Sequence, residues 1–260
     1  MSINLDEIKK HPKAIARYID HTNVCPNSTE QGIRRVCREA IRYNFYCVVV
    51  LPYYVKLARR LLKGTGIKTC TVIGFPFGVQ LTEAKLQEMK KTVRYVDEFD
   101  IVMNRAAFKN RDYDFVLKEL KKLVAFARKN RKLTKVIIET PELTESEIRK
   151  ASRIVLDSGA DFVKTAVGIK GPATVEHVKI IKSVVGDKIG IKASGGIRNF
   201  RQAFRFIEAG ASRLGCSRSV DIIKSWKEFV CGRDSGKECG RPPKTPKTCH
   251  ILEVEREVRG

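Results

Sequence analysis

Three charged residues stand inside runs that otherwise read as buried β-strands: Asp100 in EFDIVMN (98–104), Lys164 in DFVKTAV (161–167) and Lys192 in IGIKASGG (189–196). Taking an ionised side chain out of water is costly, so a charge in such a place needs a partner or a task. Any one of the three alone fits a structural ion pair as well as it fits catalysis. Together they favour catalysis, because they supply complementary parts of one reaction. A lysine attacks a carbonyl only as the neutral amine, which requires lowering its pKa from about 10.4 to roughly 7, a change of ~4.6 kcal/mol. A second lysine ~4 Å away supplies about 4 kcal/mol at an effective dielectric of ~20. Lys192 is therefore the expected tuner of Lys164. Attack forms an iminium whose positive nitrogen draws electrons from the adjacent carbon–carbon bond, and a carboxylate such as Asp100 suits the proton transfers that cleavage demands. The chemistry anticipated is metal-free carbon–carbon bond cleavage through a Schiff base, with no cofactor.

Such side chains need a frame that converges them. Eight short apolar runs (ARYID, FYCVVVL, KTCTVIGF, EFDIVMN, KVIIE, DFVKTAV, IGIKAS and SRLGCS) alternate with segments of helical period such as TEQGIRRVCREAIRYN, YDFVLKELKKLVAFARKN and ESEIRKASRIVLDSGA. Several helical segments open on Ser or Thr followed by an acidic or amide residue, and one closes on SGA, where glycine suits a left-handed cap. Eight strands, each followed by a helix, predict an α/β fold of the (β/α)8 TIM-barrel type. The runner-up, an open doubly wound sheet, lacks its GxGxxG after the first strand. In a barrel the strands' C-terminal ends carry the chemistry, which is where Asp100, Lys164 and Lys192 fall, on strands four, six and seven.

The loops after strands seven and eight of such barrels often hold phosphate. Here they read KASGGIRN and RLGCSRSV and offer Gly195, Gly196, Arg198, Gly215 and Ser217. Lys170, after strand six, adds a further cation suited to phosphate.

The chain has 260 residues and a formal net charge of +22, from 51 basic and 29 acidic side chains. That balance suits acidic partners, phosphorylated metabolites or nucleic acid. Most of the basic residues share segments with periodic Leu, Val and Phe, as the solvated faces of amphipathic helices do. The charged composition also suits a thermostable protein. Eight cysteines include no CxxC pair, the N-terminus MSINLDEIKKHPKA lacks a secretory apolar core, and no apolar run reaches membrane-spanning length. A cytoplasmic protein is expected. Residues 1–230 read as the barrel domain and 231–260 as a Gly/Pro/Lys-rich extension, in which Cys231, Cys239, Cys249 and His250 match no regular zinc spacing. No metal is expected. His21, in YIDHT, reads at least as well as a hydrogen-bonded structural histidine as it does a pocket residue, and Asp20 and Thr22 beside it as loop-ordering residues.

Across roughly residues 13 to 225 the chain resembles the deoxyribose-phosphate aldolase family, class I Schiff-base aldolases. The matching segments are YIDHT (18–22), VIGFPFG (72–78), TEAK (82–85), EFDIVMN (98–104), KVIIET (135–140), GADFVKT (159–165), ATVEHVK (173–179) and IKASGGIR (191–198). The resemblance implies a barrel that reversibly cleaves 2-deoxy-D-ribose 5-phosphate to D-glyceraldehyde 3-phosphate and acetaldehyde. It also implies Lys164 as the Schiff-base lysine, Lys192 as its tuner, and Asp100 as the proton relay. Small phosphorylated sugars and acetaldehyde are then the expected ligands, a dimer or tetramer the expected assembly, and nucleic acid is disfavoured. The chain departs from the family pattern at Cys25, Leu51, Val79, Gln80, Pro141, Glu142, Ala166, Val167, Pro172 and Arg218, so a related Schiff-base aldolase with another phosphorylated or shorter substrate is the alternative reading, and a non-enzymatic basic nucleic-acid-binding protein on the same barrel the least favoured one.

Overall fold

Every one of the eight apolar runs forms a strand. The computed structural model describes residues 5–226, in which β1 (Ile19–Asn23), β2 (Cys47–Val50), β3 (Lys68–Ile73), β4 (Glu98–Val102), β5 (Leu133–Ile137), β6 (Phe162–Lys164), β7 (Gly190–Ser194) and β8 (Arg213–Cys216) close in sequence order into a parallel barrel. Ten helices are described: α1 (Leu5–Lys10), α2 (Glu30–Tyr43), α3 (Val55–Leu61), α4 (Thr82–Thr92), α5 (Arg105–Lys109), α6 (Tyr113–Lys129), α7 (Glu145–Ser158), α8 (Val175–Val185), α9 (Phe200–Glu208) and α10 (Ser219–Lys224). The expected extension, with Cys231, Cys239, Cys249 and His250, lies outside the described residues. Among the described residues no helix is long and apolar enough to cross a membrane.

The helices start and stop where local chemistry dictates. The Thr29 hydroxyl accepts the Gly32 amide at the head of α2, and Thr144 and Glu147 form a reciprocal capping box at the head of α7. Gly159 ends α7 at φ 77°, the left-handed cap that SGA anticipated.

Period-two alternation divides each strand between two environments. Outward residues such as Val48, Phe99, Ile101, Val136, Val163 and Leu214 pack under the helices in one continuous core. Inward residues split the barrel's interior. On β2 and β3 they are apolar: Cys47, Val49, Cys70 and Val72 form a separate cluster capped by Phe75. On β4 to β8 and β1 they are charged, and the register lays Lys164 beside Lys192 and Lys192 beside Arg213. One wall of the interior is therefore greasy and the other ionic.

Candidate active site

The ionic wall carries three carboxylates (Asp20, Glu98, Asp100) and four bases (Lys135, Lys164, Lys192, Arg213), none more than 6% exposed. Unpaired, each would forfeit several kcal/mol of hydration, roughly, on burial. They meet in a connected network instead. Asp100 Oδ2 accepts from Lys164 Nζ at 2.7 Å and from Lys192 Nζ at 2.8 Å, while its Oδ1 accepts from Lys135 at 2.9 Å. Lys192 also reaches Asp20 Oδ2 at 2.5 Å, Arg213 pairs with Asp20 Oδ1 at 2.9 Å, and Lys135 pairs with Glu98 at 2.6 Å. With every group ionised the network holds one positive charge too many, four bases against three acids. Neutral Lys164 balances it.

The shifts in proton affinity follow that count. Lys164 is held below the usual lysine range, first by burial and then by the repulsion of Lys192, against the opposing pull of Asp100. This corrects the expectation that the second lysine does most of the work: burial outranks it, and Lys192 is itself engaged by two carboxylates. Burial pushes Lys192 down as well, but Asp100 and Asp20 outweigh it and hold the amine above its ordinary value. Burial would raise Asp100, yet Lys135, Lys164 and Lys192 together hold it well below the usual carboxylate range. The site thus pairs one lysine held below its ordinary range with one held above it, joined through a single carboxylate oxygen.

Above this network a cavity of about 310 Å³ opens at the C-terminal ends of the strands, with Lys164 at its floor. Gly195, Gly196 and Arg198 from the β7–α9 loop and Gly215 and Ser217 from β8 and the turn after it line it, as the spacing predicted, and Arg218 joins them. Two guanidinium groups, those of Arg198 and Arg218, belong to this lining, and a lining with two cations suits an anion. Gly196 sits at φ 78°, and a Cβ there would stand 2.7 Å from Pro172. Gly215 serves the network too, since a Cβ on it would approach Lys192 Cε and Ser194 Cβ to 2.9 Å. Gly215→Ala is expected to push Lys192 off Asp100 and Asp20 and to cost about 1–3 kcal/mol of stability, read as a lower thermal midpoint.

Lys170 departs from its predicted place. It is about half exposed, pairs with Glu142 Oε1 at 3.2 Å, and does not line the cavity over Lys164. Glu142 also pairs with Arg105, so the acid that replaces an apolar residue of the family pattern draws Lys170 away. Of the departures from that pattern, Cys25, Val167 and Arg218 line the cavity.

Asp20 does not order a loop as expected; it is buried inside the barrel against Lys192 and Arg213. His21 is structural: Nδ1 meets Ser219 Oγ at 2.9 Å and Nε2 meets Glu39 Oε2 at 2.8 Å. A serine, histidine and acid in a row invite comparison with a hydrolytic triad, but Ser219 is fully buried and its hydroxyl donates to Cys216 O. Asp20, Cys47 and Glu98 bring metal-ligand atoms within 4.8 Å of one another, yet both carboxylates already face Lys or Arg, which meet the charge an ion would bring. Lys135, Glu98, Arg213 and Ser194 were not singled out from the sequence. Glu98, Lys135 and Arg213 stand at the starts of their strands or apolar runs, where a charge reads as a solvated end, and Ser194 at the end of its strand.

The sequence model of the DeoC/LacD family aldolases matches residues 14–241. The deoxyribose-phosphate aldolase of Aciduliprofundum boonei is 48% identical over 215 residues, 82% of this chain and 97% of that one. That of Thermococcus gammatolerans is 47% identical over 214 residues, 81% of this chain and 95% of that one. Among solved structures, the tetrameric deoxyribose phosphate aldolase of Aeropyrum pernix superposes with a TM-score of 0.80 at 31% identity, covering 87% of this chain and 97% of that one.

Proposed function

The chain belongs to the DeoC/LacD aldolase family, and from that premise we propose that it reversibly cleaves 2-deoxy-D-ribose 5-phosphate to D-glyceraldehyde 3-phosphate and acetaldehyde through a Schiff base on Lys164. The observation that supports this reading is the shared oxygen: Asp100 Oδ2 touches both amines beneath a cavity lined by the glycines and arginines of the β7 and β8 loops.

The steps follow from that geometry. Neutral Lys164 adds to the C1 aldehyde of the open-chain sugar and loses water to give the iminium. A proton leaves the C3 hydroxyl towards the Asp100–Lys192 pair, the C2–C3 bond breaks, and its electrons settle on the iminium as an enamine. C3 departs as the aldehyde of glyceraldehyde 3-phosphate. The proton returns to C2, and water releases acetaldehyde and the free amine. Gly195, Gly196, Arg198, Gly215 and Ser217, with Arg218, hold the phosphate; this assignment leaves Lys170 with Glu142. Neither the mechanism nor the residues assigned to it require a cofactor.

Most of the altered family positions argue little for a different substrate, because Leu51, Val79, Gln80, Pro141, Glu142, Ala166 and Pro172 do not line the cavity, whereas Cys25, Val167 and Arg218 do. The tetrameric relative supports a homo-oligomer, and the family's soluble metabolites support the cytoplasm as its place of work. We retain residues 1–230 as the barrel domain and 231–260 as its extension.

Incubation with 2-deoxyribose 5-phosphate and borohydride, followed by peptide mapping, tests the reading. A reduced adduct on the peptide bearing Lys164, with release of glyceraldehyde 3-phosphate in the untrapped reaction, is the expected result. An adduct on another lysine, or none from a folded sample, would overturn it.

A further inference from the structure

The peptide unit joining Ala166 to Val167 lies two residues beyond the reactive lysine, and side chains hold both of its polar groups. Ser194 Oγ donates to Ala166 O at 2.6 Å, and Val167 N donates to Glu139 Oε2 at 2.7 Å. Val167, Gly168 and Ser194 all line the cavity above Lys164.

Glu139 is a costly residue to place there. Its backbone is left-handed, at φ 59°, a conformation uncommon outside glycine and asparagine. The residue is 1% exposed, and Oε1 has no hydrogen-bond partner among the described residues. The amides on either side of it simply extend the β5–β6 ladder, Ile138 N to Lys164 O at 3.0 Å and Thr140 N to Thr165 O at 2.8 Å. The left-handed turn at Glu139 lets both bonds form while its side chain reaches past them to the next amide that needs an acceptor. A strained, desolvated acid between two ladder bonds is poorly explained as packing.

We propose that Glu139 is a positioning residue: with Ser194 it clamps the Ala166–Val167 peptide and so fixes the wall of Val167 and Gly168 against which the phosphorylated end of the substrate is held. Lys164 and its carbonyl chemistry lie on the near side of the clamp, anchored by Asp100 and the ladder. The clamp therefore governs how well a phosphorylated sugar is seated and leaves imine formation with a two-carbon aldehyde unaffected.

The inference rests on the aldolase reading, and the test separates the two. Glu139→Gly removes the carboxyl at a backbone angle glycine adopts freely, so the loss of the clamp is not confounded by strain. Glu139→Gln keeps an amide oxygen to accept the same N–H. Steady-state cleavage of 2-deoxyribose 5-phosphate and borohydride trapping of acetaldehyde on Lys164 are measured for both variants and the parent. With Glu139→Gly, KM rises about tenfold, kcat changes less than about threefold, and the rate of acetaldehyde trapping stays within about twofold of the parent; Glu139→Gln restores KM to within about threefold. An unchanged KM in the folded glycine variant, equal losses in cleavage and acetaldehyde trapping, or a glutamine variant as impaired as the glycine one would overturn the clamp. The parent's own acetaldehyde adduct reports on the Schiff-base reading alone, so failure there is recognised separately.

Discussion

Lys164→Ala is expected to lower turnover of 2-deoxyribose 5-phosphate by roughly 10⁴-fold or more and to abolish the borohydride adduct, while leaving the protein folded. Loss of activity follows from loss of the nucleophile. Retention of the fold follows from the charge count: without Lys164 the ionic wall keeps three acids, Asp20, Glu98 and Asp100, and three bases, Lys135, Lys192 and Arg213. Asp100 loses one partner yet remains bonded to Lys135 at 2.9 Å and Lys192 at 2.8 Å, so no carboxylate is stranded. The alanine leaves a small polar void beneath an open cavity, which water can fill. Circular dichroism and thermal melting, read beside the activity, separate the two effects. A variant that unfolds would show that the amine is a structural cation and that the network does not balance without it.

How far the sequence foretold this site depends on which property of the barrel was in play. The strands and the frame were legible because each apolar run is short, bounded, and followed by a segment of helical period. Asp100 and Lys192 were legible because apolar residues flank them on both sides, and Lys164 because it lies between FV and TAV. Glu98 and Arg213 are the first residues of their strands, and Lys135 begins the apolar run KVIIE, so in sequence they look like charges at solvated strand ends. The tilt and stagger of a closed barrel bring those positions inside as well, where they must find one another. Asp20 failed in the same way, its place read from a neighbouring loop motif. Lys170 was misplaced because its partner Glu142 is remote in sequence and brought near only by the fold. The left-handed turn at Glu139 leaves no mark in KVIIET at all, since nothing about a glutamate announces a positive φ.

Lys192→Met is expected to move the rising limb of the kcat/KM against pH profile upward by about one to two pH units and to lower activity near neutrality correspondingly, at ~10-fold per unit. The sign comes from the arrangement around Asp100. Lys164 reacts only when neutral, so whatever lowers its pKa extends activity to lower pH. Burial and Lys192 both do so, whereas Asp100 opposes them. Removing the second amine leaves burial in place but deletes the repelling cation and leaves Lys164 as the sole donor to Asp100 Oδ2, so its proton is held more tightly. Two charges ~5 Å apart at an effective dielectric of ~20 interact by about 3 kcal/mol, and the share lost to rearrangement brings the expected shift down to the range given. Asp20 keeps Arg213 at 2.9 Å, so it retains a cation. If Lys192 acted solely in proton transfer, its removal would lower the plateau and leave the limb where it was. A limb that moves upward identifies the second lysine as a contributor, beside burial, to the neutral state in which the first one attacks.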